Sequence, residues 1–74
     1  MSIRSDHERP LRLLAASPDG FTEGIMLAHG FDAALLTDLV GFGLVSATIE
    51  SVGRKRPIEV VMLRITEAGK KVSA

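Results

Sequence analysis

Residues 21–45 constrain the fold more than any other stretch, because two short helical patterns stand there back to back, each opened by a capping residue and closed by glycine. Thr22 can cap the first of them, since a threonine hydroxyl accepts an amide proton from the opening turn. Phe21 and Met26 have the N′ and N4 spacing of a hydrophobic staple. His29-Gly30-Phe31 ends this helix over 23–28, with Gly30 free to adopt a positive φ. Asp32 opens the next helix, and Phe31 and Leu36 repeat the staple. Its residues Leu35, Leu36, Leu39 and Val40 form an apolar face, with Ala33, Ala34, Thr37 and Asp38 opposite. Gly41-Phe42-Gly43 then stops the helix and turns the chain.

The flanking segments are simpler. Leu11, Leu14 and Ala15 recur at helical spacing, so a helix is expected over 8–16, with Pro10 in its first turn and residues 1–7 flexible. Ser17-Pro18-Asp19-Gly20 is turn chemistry. After the tandem, a strand over 44–52, the loop Gly53-Arg54-Lys55-Arg56-Pro57 and a strand over 58–65 predict a hairpin. Thr66 can cap a last helix running through Val72. In the second strand Val61, Leu63 and Ile65 are assigned to the core. That leaves Ile58, Val60 and Met62 on the outer face, with Val52 beside them. Exposed apolar patches mark interfaces, so these four residues are the expected surface for a homodimer or another protein partner.

Seventy-four residues suit one domain, expected over 8–73, whose core alone supplies about 3–5 kcal/mol. With no cysteine there is neither a disulfide framework nor a thiolate metal site, which fits a reducing cytoplasm. Residues 1–8 do not have the pattern of a signal peptide, and no run approaches the ~18 apolar residues of a membrane span. His7 and His29 have no cysteine or spaced histidine partner, and the serines lack a histidine–carboxylate pattern. The glycines form no phosphate loop. The expectation is a protein that is not an enzyme and has no metal ion, cofactor or small-molecule substrate.

The order helix, turn, helix, tight turn, helix, hairpin and terminal helix resembles the winged helix-turn-helix domain, an α+β fold. Phe42-Gly43-Leu44-Val45 is similar to the way that family leaves its third helix, and Leu63-Arg64-Ile65-Thr66-Glu67-Ala68-Gly69 to its exit from the wing. Arg54, Lys55 and Arg56 fall where the wing tip would be. The resemblance implies a three-helix core, a wing hairpin of two or three strands and a short closing helix. It also implies transcriptional-regulator-like DNA binding, with the third helix in the major groove and the wing on the backbone. Carried over by position, Ala33, Ala34, Thr37 and Asp38 would face bases, and Arg54, Lys55 and Arg56 phosphates. The same module also serves as a protein-interaction domain that binds no DNA.

Charge distribution cuts across that implication. Residues 13–50 contain Asp19, Glu23, Asp32, Asp38 and Glu50 and no lysine or arginine, for −5. Residues 51–74 contain Arg54, Lys55, Arg56, Arg64, Lys70 and Lys71 against Glu59 and Glu67, for +4. DNA affinity comes largely from bases neutralising phosphates. The helix that should read the groove is therefore acidic, and the hairpin loop is the stronger candidate for a DNA contact. Arg9 and Arg12 could add phosphate contacts from the first helix.

Overall fold

The computed structural model of the protein describes residues 5–73. The elements are α1 (Ser5–Ala15), β1 (Phe21–Thr22), α2 (Glu23–Ala28), α3 (Ala33–Gly41), β2 (Val45–Val52), β3 (Ile58–Ile65) and α4 (Glu67–Ser73). Among the described residues, four helices and a three-stranded antiparallel sheet, ordered β1-β3-β2, make an α+β fold.

Helix α1 begins three residues before the expected Glu8 and takes in Ser5, Asp6 and His7. Of the stretch expected to be flexible, residues 1–4 lie outside the described residues. The physical reason for the longer helix is a stripe that a count of apolar residues overlooks. His7, Pro10, Leu11 and Leu14 stand at i, i+3, i+4 and i+7, and all four are buried. His7 packs its ring against Phe42, with centroids 5.6 Å apart. Pro10 is inside the helix rather than in its first turn. Its missing backbone donor costs a helical hydrogen bond, offset by complete burial of the ring. Ala15, expected on the buried face, is exposed.

Helices α2 and α3 end alike. Gly30 and Gly43 have φ of 91° and 75°, a region open to glycine at no steric cost. The Gly30 and Gly43 amides donate to the carbonyls of Leu27 and Val40, and the amides that follow, Phe31 and Leu44, donate to Met26 and Leu39. This paired pattern satisfies helix-end carbonyls that would otherwise lack partners. It also brings apolar Phe31 and Leu44 back onto Met26 and Leu39 within one cluster. At the opposite ends, the Thr22 hydroxyl accepts the Ile25 amide as expected, whereas Asp32 occupies the cap position without a side-chain hydrogen bond.

The core comprises Leu11, Leu14, Met26, Leu36, Leu39, Leu44, Val45 and Leu63, flanked by half-buried Phe21, Phe31, Phe42, Val61 and Ile65. The expected inward face of β3 is thus the one observed. Phe21 has a second role beyond the staple position: with Thr22 it forms β1, pairing with Leu63 and Met62. Thr66 fastens the end of the chain. Its hydroxyl accepts the Gly69 amide, capping α4, and donates to the Gly43 carbonyl at 2.7 Å, while its own amide donates to the Leu44 carbonyl.

Candidate nucleic-acid interface

The β2–β3 hairpin pairs without interruption from Val45↔Ile65 to Val52↔Ile58, and the molecule is elongated, 43 Å along its longest axis against 22 and 19 Å. Residues 53–57 connect the strands, so Arg54, Lys55 and Arg56 sit together at the hairpin tip, all exposed. Three adjacent bases with no acidic partner among the described ion pairs make a concentrated positive end.

Helix α3 leaves Ala33, Ala34, Thr37 and Asp38 exposed, on the side away from buried Leu36 and Leu39. Two of the four are engaged within the fold. The Thr37 hydroxyl donates to the Ala33 carbonyl at 2.9 Å. Asp38 places a carboxylate oxygen 3.7 Å from Nε2 of His7, although its side chain remains 58% exposed. Val40, expected on the buried face of α3, is 37% exposed instead. It lines an open groove of about 190 Å³ with Glu23, Thr37, Ala47 and Val61.

One base reaches the neighbourhood of α3 only through folding. Arg9 of α1 lines a depression of about 200 Å³ with Gly30, Phe31, Asp32 and Leu35, at the N-terminal end of α3. Counting charges along the chain places no base in residues 13–50; the packing of α1 supplies one from outside. The sequence signal was the exposed position of Arg9 relative to Leu11 and Leu14, but not the partner it would face.

The outer face of the hairpin carries the four residues expected to form a protein interface, and the register puts them together: Val52 opposite Ile58, Glu50 opposite Val60 and Thr48 opposite Met62. They do not form one exposed strip. Val60 and Met62 are half-buried, while Val52 and Ile58 are 44% and 63% exposed. Arg64 lies across the two strands beside this half-buried pair. Its guanidinium donates to Glu50 Oε2 at 2.7 Å and to the Thr48 hydroxyl at 3.2 Å, so a polar network crosses the middle of the face. Exposed apolar surface is left towards the tip.

The hydrogen bond from Arg64, with a second from Thr48, holds the Glu50 carboxyl below its ordinary value. A carboxylate whose folded pKa is depressed adds stability at neutral pH and loses it as pH falls through the folded value. Replacing Arg64 by alanine is expected to move the Glu50 midpoint upward, read from its side-chain carboxyl NMR shift. An unmoved midpoint would remove Arg64 as the cause.

Among the described residues no group of three or more His, Asp or Glu side chains is placed to share a metal ion, and no helix is long and apolar enough to cross a membrane. Comparison with protein-family profiles, curated proteins and solved structures returns no match.

Proposed function

We propose that this chain is a winged helix-turn-helix domain that binds duplex DNA, with the basic tip of the β2–β3 hairpin as its main anchor. The observation that carries this reading is the exposed Arg54-Lys55-Arg56 run, held at the end of a continuous two-stranded projection. The element order and the β1-β3-β2 sheet support the fold half of the proposal. Arg9 beside the start of α3 supplies a second phosphate contact. Ala33 and Ala34 allow close approach and can meet thymine methyls, while Asp38 repels phosphates. Contacts to the backbone therefore dominate over reading of bases, and binding is strongly salt-dependent with weak sequence preference.

Titrating mixed-sequence duplex DNA at low salt and following amide shifts tests the proposal. Arg54–Arg56, Arg9 and Ala33–Thr37 are expected to shift together. Non-specific DNA binding typically has Kd of about 10⁻⁴–10⁻⁶ M, so silence at ~100 μM protein would end the DNA reading.

A protein-interaction module of the same fold is the second reading. It is favoured by the acidic surface of α3 and by Ile49, Val52 and Ile58, which are 71%, 44% and 63% exposed. In that case the DNA titration is silent, and the apolar residues near the hairpin tip carry the contact.

A further inference from the structure

Strand β2 is an edge. The sheet order ends on it, and among the described residues no strand pairs with its outer side. Exposed edges invite pairing with another chain, and proteins commonly guard them with lysine, proline, a bulge or short length. Val45-Ser46-Ala47-Thr48-Ile49-Glu50-Ser51-Val52 has none of these guards: eight residues, no lysine, no proline and an unbroken register against β3. Its single charge, Glu50, is tied to Arg64.

The backbone shows which residues offer the free groups. The Thr66 amide donates to the Leu44 carbonyl, which assigns the even-numbered positions of this strand to hydrogen bonding with β3. Antiparallel ladders alternate, so Val45, Ala47, Ile49 and Ser51 turn their amides and carbonyls outward. We infer that this edge pairs with β2 of a second copy of the chain, antiparallel and centred on Thr48, joining two sheets into one of six strands.

That register satisfies all four outward-facing residues, matching Val45 with Ser51 and Ala47 with Ile49 of the second copy. Ile49, the most exposed large apolar side chain among the described residues at 71%, then lies beside Ala47 of the other copy, at the mouth of the groove that Val40 and Val61 line. On the other face the two Thr48 side chains meet, a favourable cross-strand pair, and Glu50 lies opposite Ser46 rather than another carboxylate. Antiparallel pairing also separates the two basic loops. Each is carried past the Leu44 end of the other copy's β2, at the far end of the shared ladder from its own partner loop. The inference is independent of DNA binding.

Sedimentation equilibrium up to millimolar protein, with amide hydrogen exchange on the same samples, tests it. The wild type is expected to double in mass with concentration, and the Ala47, Ile49 and Ser51 amides to gain protection as it does. Ile49→Lys places a charge on the edge without touching the ladder to β3, and should return the protein to a folded monomer with those amides unprotected. Ile58→Glu, on the outer face away from the edge, should leave the dimer intact. A wild type that stays monomeric overturns the inference. So does a dimer that survives Ile49→Lys but dissociates with Ile58→Glu, since its contact would then be the outer face.

Discussion

Replacing Gly69 by alanine is expected to cost this protein most of its stability. Gly69 is buried in α4, and a Cβ there would overlap the Leu44 carbonyl oxygen and crowd Cγ1 of Ile65. Neither neighbour can give way easily. The Leu44 carbonyl accepts the Thr66 amide, and Leu44 itself is 2% exposed in the core. To admit a methyl group, α4 must lift. Lifting it strains the hydrogen bond from the Gly69 amide to Thr66 and the one from Thr66 to the Gly43 carbonyl. Overpacking of this kind costs about 1–3 kcal/mol or more. A core of this size supplies only about 3–5 kcal/mol. Thermal unfolding followed by circular dichroism should show a midpoint lower by about 10 °C or more. Gly41→Ala is the matched control. A Cβ at Gly41 meets nothing within 4 Å, and this exposed helical position should gain stability by up to about 1 kcal/mol. Equal midpoints for the two variants would show that α4 is not locked onto Leu44.

What the sequence discloses here follows the range of each interaction. The Thr22 cap of α2 and the glycine ends of α2 and α3 are decided within six residues, so Thr22, Gly30 and Gly43 could be read directly, whereas Asp32 opens α3 without the side-chain hydrogen bond a cap would make. The hairpin was equally legible, because alternation and the loop chemistry at 53–57 are local. Strand β1 was not: Phe21 and Thr22 become a strand only by meeting Leu63 and Met62, some forty positions away, and two residues carry no period. The start of α1 was hidden for another reason. His7 and Pro10 belong to its buried stripe, but one is polar and the other breaks helices, so a hydrophobic pattern skips both. In the candidate site, exposure of Ala33, Ala34, Thr37 and Asp38 followed from helical spacing. The approach of Arg9 to α3 depends on how two helices pack, and the reach of Arg64 over Glu50 on a side-chain conformation; neither has a linear signal.

If the chain binds DNA as proposed, neutralising the hairpin tip, as Arg54→Gln, Lys55→Gln and Arg56→Gln together, is expected to abolish most of that affinity while leaving the fold intact. These side chains are exposed and make no described ion pair, so stability should change little. Each phosphate neutralised contributes about −0.9 to the slope of log K against log salt, so losing three should flatten it by about 2.7. At ~0.1 M salt that corresponds to a loss of roughly 10²–10³ in affinity relative to a 1 M reference. Arg9 alone would leave a residual slope of about −0.9. Net charge by itself predicts a different result, and Lys70→Gln with Lys71→Gln separates the two. These lysines are exposed on α4, away from the tip in sequence and in the fold. A general attraction between DNA and positive charge would respond to both variants in proportion to the charge removed. A wing that grips phosphates responds to the first and barely to the second. Proportional losses would leave DNA binding as a property of the whole surface and take the hairpin tip out of the mechanism. A flattened slope for the tip variant alone would explain how a helix whose one charged side chain is Asp38 is held against a polyanion: the contact is made by the hairpin, and α3 is placed by it.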